Sequence, residues 1–265
     1  MAQSSEPYSS KPNDPSQLPF VAPCRQLLFT APLKWLELGL QDFKQAPLQS
    51  CLYGLVIMIA IYSFSWFAYS TGSFIFMIAL LAGYMFIGPL LAFGLYSISQ
   101  QIQSNKKPVL GYCLRQGRRH FGNEMVFAAI LLVVFLVWAR AASTVHIFFP
   151  AEAQPDYEDL ILFLGIGSLI GLLFSAIIFC ASAFSLPMLM DKKVDVVTAL
   201  ITSINATLRN KPAMLLWATL IVVLLIIGFF TATLFVLIPI IGHATWHGYD
   251  QTIDAQAWPD HYPDG

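Results

Sequence analysis

The sequence predicts an all-α fold: a polytopic membrane helix bundle with six transmembrane helices in three hairpins, each hairpin preceded by an amphipathic interfacial helix. Three observations lead there. Charged residues make up 11% of the 265 positions and apolar ones 57%, whereas a soluble domain carries about 25% charged residues. Several uncharged runs approach or exceed the roughly 20 residues that a helix needs to cross a bilayer. One layout also recurs three times: an amphipathic helix, a break, an apolar hairpin, then a proline ahead of the exit. The net charge of −1, with no basic stripe among the aromatics, excludes nucleic acid as an expected partner.

Residues 1–30 read as a disordered cytoplasmic tail, rich in Pro and Ser and without periodicity over the first 24 positions. No apolar run precedes Leu48, so no cleaved signal is expected. A membrane domain follows over 31–250. Leu33, Leu36, Leu40 and Phe43 share one helical face, with Lys34, Glu37, Gln41 and Lys44 on another. Such a helix is expected to lie in the interface, its apolar side in the acyl boundary. Ala46-Pro47 ends it, because the residue before proline avoids the helical region.

The first span runs about Leu48–Tyr69, Thr71-Gly72-Ser73 turns the chain, and the second runs about Phe74–Tyr96 with Pro89 inside it. Within 97–123, Leu110, Leu114, Gly117 and Phe121 share a face, off which lie Arg115, Arg118 and Arg119. This second amphipathic helix is expected to end at Gly122-Asn123. A third span starts near Glu124 and continues past Trp138 and Arg140 toward Phe149. The acidic loop Ala151–Asp159 leads into a long fourth helix, Leu160–Met190, on which Gly167, Gly171 and Ser175 recur every four residues. Such a small-residue stripe lets another helix approach closely.

Asp191–Lys193 leaves the membrane, and a third amphipathic helix spans about Asp195–Arg209 with Val197, Leu200, Ile201, Ile204 and Leu208 on one side. Lys211-Pro212 breaks it. From Pro212 to Tyr249 no Lys, Arg or acid occurs, and as one helix that run would far exceed the hydrocarbon core. Two short spans meeting near Gly228 are expected instead. Residues 251–265 form an acidic tail.

His243 and His247 stand four apart, so they share a helical face and are a candidate pair of metal or haem ligands, with His120 or Asp250 as further donors. No Glu follows His243, so this is not the zinc-protease arrangement. The alternative is that His243, Trp246, His247 and Tyr249 form an interfacial belt or pack internally. Arg140 is the lone cation on its side of the membrane; it either marks a functional site or pairs with Glu152, Glu158 or Asp159. Asp191, Lys192, Lys193 and Asp195 form a candidate partner-binding patch, and Asp195 can instead cap the helix that follows. The four cysteines, Cys24, Cys51, Cys113 and Cys180, are widely spaced and read as apolar fillers. No arrangement of nucleophile, base and oxyanion site is found, so no catalytic residue and no required cofactor is expected.

The stretch SLPMLMDKKVDVVTALITSINATLRNKPAMLLWATLI, followed by LPIIGHATWHGYD, resembles a bacterial integral membrane family catalogued as domain of unknown function 2189. APLKWLELGLQDFKQAPLQSCLYG and IGPLLAFGLYSISQ are similar to it too, so the resemblance extends over about 30–250. The chain departs at Asp250, where the family pattern has Arg. The resemblance implies a multi-span inner-membrane protein without an established activity. The expected function is therefore non-enzymatic, exerted through the lipid bilayer, a membrane-protein partner or a homo-oligomer. The alternatives are a carrier of a small or amphipathic molecule, and metal or haem binding at His243 and His247.

Thirteen of the 14 Lys and Arg residues fall on one side of this topology and Arg140 on the other, which places the N-terminus and both basic loops in the cytoplasm; two crossings over 212–249 are then expected to return the C-terminus to the same side. A fluorescent protein fused after Gly265 is expected to be bright and an alkaline phosphatase fusion inactive. The reverse pattern would mean an odd number of crossings.

Overall fold

In the computed structural model, residues 19–72, 74–148 and 157–261 are described. Ten helices follow one another: α1 (Ala31–Gln45), α2 (Pro47–Ser70), α3 (Phe74–Leu91), α4 (Phe93–Gln103), α5 (Leu110–Phe148), α6 (Tyr157–Ser182), α7 (Ser185–Asp191), α8 (Val196–Arg209), α9 (Lys211–Thr231) and α10 (Leu234–Thr252). Among the described residues there is no strand, only two isolated bridges, Cys24 with Ile253 and Lys192 with Asp260. Four stretches are long and apolar enough to cross a bilayer: Pro47–Ser70, Met125–Thr144, Ile161–Asp191 and Lys211–Thr231. In its most apolar 18-residue window, Ile161–Asp191 is only 6% buried within the chain, against 22% for the corresponding window of Lys211–Thr231. The former therefore depends most on lipid or another protein to cover it.

The packed core lies at one end of the molecule. Trp35 of α1 is its centre, with no exposed surface. Its ring meets Trp217 of α9 edge-on at 5.7 Å and Phe184, in the turn between α6 and α7, at 6.2 Å. Its indole N–H donates to Gln251 Oε1 at 3.1 Å. The largest helix contact in the fold is between α1 and α10, followed by α2 with α10. Two glycines permit these approaches. A Cβ on Gly39 would stand 2.7 Å from both Ala244 N and Ile240 O of α10, and one on Gly54 would overlap the Phe235 carbonyl. Both obstacles are backbone, which cannot step aside.

Helix ends follow the sequence where proline is involved. Pro47 and Pro212 each occupy the first turn of a helix, where no amide donor is needed. Other boundaries differ from expectation. Helix α5 runs unbroken through Gly122-Asn123, because Gly and Asn each cost a helix only about 1 kcal/mol or less. The side chains from Leu110 to Phe121 lie outside the described ones, so the second amphipathic face is not described. The last hairpin turns at Ala232-Thr233 rather than near Gly228. Ala232 takes the left-handed conformation, φ 56°, and its N–H and that of Thr233 both donate to the Gly228 carbonyl, a helix end of the left-handed type.

The long fourth helix is interrupted at Ala183-Phe184, dividing it into α6 and α7. Ser203 of α8 repairs the gap. Its hydroxyl accepts from Phe184 N–H at 3.0 Å and donates to the Cys180 carbonyl at 2.8 Å. The three prolines of the expected repeat are consequently not equivalent. Pro89 precedes a break at Ala92, Pro187 follows one, and Pro239 sits inside an unbroken helix.

The amphipathic helices leave apolar side chains outside the protein, as an interfacial helix would, whereas the tails differ from expectation. The protein-facing stripe of α1 is Pro32, Trp35, Gly39, Asp42 and, at its C-cap, Ala46, while Leu33 and Leu40 are exposed. In α8 the small residues Ala199, Thr202, Ser203 and Ala206 are buried, while Val197 and Leu208 are half exposed. Apart from Trp35 in α1 and Val196 in α8, the buried positions of these two helices are small or polar, and several large apolar side chains stay outside. The tails expected over 1–30 and 251–265 are partly folded. Ala22 N–H donates to Thr202 Oγ1 at 3.1 Å, Arg25 N–H to the Thr252 carbonyl at 2.8 Å, and Ile253 and Trp258 are buried in the core. Residues 1–18, Ser73, the loop over 149–156 that holds Glu152 and Asp156, and residues 262–265 lie outside the described residues.

A contrast between two glycines tests this packing. Gly39→Ala is expected to destabilise the protein by about 1–3 kcal/mol through overpacking against backbone. Gly171→Ala, with no neighbouring element among the described residues within 4 Å of its Cβ position, should be neutral or slightly stabilising. Thermal unfolding of the purified protein in mild detergent distinguishes the two.

Candidate functional site

The second half of α10 is polar yet enclosed. Gly242–Trp246, Gly248 and Tyr249 are all buried, and α1, α2, α4, α7 and α9 pack around α10. In a bundle interior each polar group needs a partner, because an unpaired one costs about 1–3 kcal/mol. This helix meets that demand with side chains from four others.

His243 has no exposed surface, and both ring nitrogens are engaged: Nε2 lies 2.9 Å from Ser50 Oγ of α2, and Nδ1 lies 2.8 Å from Ser99 Oγ of α4. A serine at this distance from an imidazole has the spacing of a nucleophile and its base. Ser50 and Ser99 are themselves fully buried, and none of the three lines the groove between Leu48 and Phe235 or the one beside Arg140. One turn on, His247 Nε2 sits 2.8 Å from Asp42 Oδ2 of α1. The two candidate ligands are thus tied to separate helices. Among the described residues no group of three His, Cys, Asp or Glu side chains converges on a point. The side chain of His120 lies outside the described ones, and Asp250 accepts from Gln103 Nε2 at 3.2 Å.

Trp246 and Tyr249 pack internally rather than lining a belt at the headgroups. The Trp246 indole N–H donates to Gln103 Oε1 at 2.9 Å, and both rings are almost fully buried. Tyr249 donates its hydroxyl to Asp191 Oδ2 at 2.9 Å, where Gln100 Nε2 adds a bond to Oδ1 at 3.3 Å. Lys192 then joins Asp191, at 3.5 Å, to Asp260 of the C-terminal segment. Burial works against the charge on Lys192, but the Asp260 and Asp191 carboxylates prevail and hold its ammonium above the usual lysine range. What this tie adds to stability is present at neutral pH and is lost as pH rises through the raised value. Asp195 caps α8, as its position implied, accepting from Thr198 N–H at 2.9 Å. Burial would raise its pKa, but the bonds from Thr198 prevail and lower it. The cap's contribution therefore lasts until pH falls through that lowered value.

The remaining candidates face outward. Arg140 is exposed on α5 and has no ion pair among the described residues. It lines an open groove of about 490 Å³ with Val133, Leu136, Val137, Ala141 and Thr144. Among the described residues no neighbouring element comes within 4 Å of a Cβ built on Gly167 or Gly171, and Ser175 Oγ donates to the Gly171 carbonyl of its own helix at 2.6 Å. The close approaches of this fold are made at Gly39 and Gly54 instead. Sequence reasoning missed Ser50, Ser99, Asp42 and Gln103. A signal existed for one of them: Trp35, Gly39, Asp42 and Ala46 recur at helical spacing, but glycine and aspartate do not register as an apolar face.

With this geometry in place, the comparison with known families is informative. Residues 75–191 match the family model described as predicted integral membrane protein (DUF2189). The chain is a membrane protein with helical transmembrane segments. The match covers α3 to α7, including IGPLLAFGLYSISQ and the start of SLPMLMDKK, whereas the segment LPIIGHATWHGYD lies beyond it. No curated protein and no solved structure matches the chain.

The Ser50–His243–Ser99 group generates a coupling experiment. Ser50→Ala leaves one nitrogen of a buried imidazole unpaired and is expected to cost about 1–3 kcal/mol. In a His243→Leu background the same change should cost much less, because its partner is already gone. Unfolding of the two single variants and the double variant in detergent measures this. Simple additivity would show that the bond contributes nothing.

Proposed function

We propose that this chain is a non-enzymatic, multi-pass protein of a bacterial inner membrane that acts through lipid or membrane-protein partners. The observation that carries this reading is the internal commitment of its polar groups. Ser50, Ser99, His243, Asp42, Gln103 and Asp191 all bond to one another or to neighbouring helices, and the groove between Leu48 and Phe235 and the one beside Arg140 are lined by other residues. By contrast, most of the surface of α6 ahead of Ile178 is left to its surroundings, which suits a protein that works by what packs against it. The reading requires no bound cofactor.

In this proposal six spans form three hairpins, with α3 and α10 as return limbs and both termini cytoplasmic. The meeting of residues 22–27, 191–193, 202–210 and 252–261 at one end supports it. A chain whose start, middle loop and end share one face has crossed an even number of times between them. Polarity excludes α10 from an apolar count of spans, yet that polarity is turned inward.

The groove beside Arg140 favours one second reading, a carrier for an amphipathic anion whose head would meet the guanidinium. Complementation of a deletion strain separates the two. Under the partner reading, Arg140→Gln and a folded Ser99→Ala variant should both restore the wild-type phenotype. Failure of Arg140→Gln alone, at normal expression, would favour the carrier. Failure of folded Ser99→Ala would make the buried histidine group a functional centre and overturn the non-enzymatic reading.

A further inference from the structure

Three parts of the chain meet at Asn210, just ahead of α9. Its side-chain oxygen accepts from Leu27 N–H at 2.8 Å, and its amide donates to the Arg25 carbonyl at 3.1 Å. Arg209 and Lys211 flank it in sequence, and Arg209 Nη1 lies 3.8 Å from Cys24 Sγ. Arg25, Arg209 and Lys211 are therefore drawn into one neighbourhood. All three are exposed, and none has a carboxylate within ion-pair distance among the described residues. Two other cations of this end differ: Lys34 pairs with Glu37, and Lys192 with Asp191 and Asp260.

The same neighbourhood exposes large apolar side chains. Leu28 and Phe29, which follow Leu27 directly, are 78% and 58% exposed, and Leu215, one turn into α9, is 71% exposed. Leu208 beside Arg209 is half exposed. Unpaired cations next to bare apolar groups, at the mouth of a membrane-spanning helix, suit a ligand with an anionic head and hydrocarbon tails. Guanidinium groups match phosphate with paired, charge-assisted hydrogen bonds, and an anionic leaflet attracts each such cation. A free phosphate would satisfy the charges and leave Leu28, Phe29 and Leu215 in water.

We propose that Arg25, Arg209 and Lys211 hold the headgroup phosphate of an anionic phospholipid in the cytoplasmic leaflet, with Leu28, Phe29 and Leu215 among its acyl chains. This rests on the membrane placement proposed above and names one partner for it. The segment before α1 and the α8–α9 junction would then be joined by a lipid as well as by Asn210.

The test uses the full chain in mild detergent, equilibrated with an equimolar mixture of phosphatidylglycerol and phosphatidylcholine and read by native mass spectrometry. The wild-type protein is expected to retain phosphatidylglycerol selectively. Arg25→Gln/Arg209→Gln/Lys211→Gln should lower that selectivity roughly tenfold or more, given a several-fold contribution from each cation. Lys106→Gln/Lys107→Gln, which removes two exposed cations outside the cluster, should leave it unchanged. Arg25→Lys/Arg209→Lys should keep a substantial part, so a variant that merely misfolds is told apart by its unfolding temperature and by this charge-preserving control. Equal selectivity in the wild type and the triple Gln variant would overturn the site. So would an equal loss in the Lys106/Lys107 control, or equal stabilisation by inorganic phosphate alone. None of these results bears on the complementation test above.

Discussion

The fold depends on the seating of α1 against α10. The second half of α10 carries two histidines, a threonine, a tryptophan and a tyrosine on eight consecutive positions, a composition no lipid-facing helix can bear. It becomes tenable only when surrounded. Gly39 lets the α1 backbone reach α10, Asp42 meets His247, and Trp35 fills the space between α9, α10 and the α6–α7 turn. From the other sides Gly54 brings in α2 with Ser50, and α4 contributes Ser99 and Gln103. Each contact presupposes the others, since a buried polar network with a missing member is worse than an apolar core.

This gives the molecule two unlike ends. One is tightly packed, laced by side-chain hydrogen bonds and closed over by both terminal segments. The other is held by sparse contacts such as the ring stack of Tyr62 on Phe229 at 5.2 Å and the hydrogen bond of Tyr62 to the Phe229 carbonyl. Packing and polar satisfaction specify the first end. Hydrocarbon thickness and lipid contact govern the second, where association gains no hydrophobic driving force.

Much of this was legible in the sequence, and the failures have physical reasons. The helical membrane class followed from composition, and the boundaries at Pro47 and Pro212 from proline chemistry. Asp195 capped as its local chemistry requires. Gly122-Asn123 misled because a modest propensity cost was read as a break. In α1 and α8 the apolar periodicity picked out side chains left outside the protein, such as Leu33, Leu40, Val197 and Leu208, but it gave no sign of the opposite stripe, where Trp35 and small residues such as Gly39 and Ala199 are buried. The glycine stripe on α6 was visible, but periodicity names a face without naming its occupant. The serines around His243 carried no signal, since their pairing joins positions 193 and 144 residues apart.

The docking of the amino-terminal segment has a consequence for biosynthesis. Ala22 is bound by Thr202, Leu27 by Asn210, and Cys24 lies beside Ile253. A ribosome makes these early residues first and their receptors last, so the segment must wait, undocked, while nearly the whole chain is inserted. Domains that form from local contacts can fold as they emerge; this end cannot. Closure of the packed end therefore waits until the residues around Ile253 have been made, and a chain cut short before α8 would lack the partners of Ala22 and Leu27.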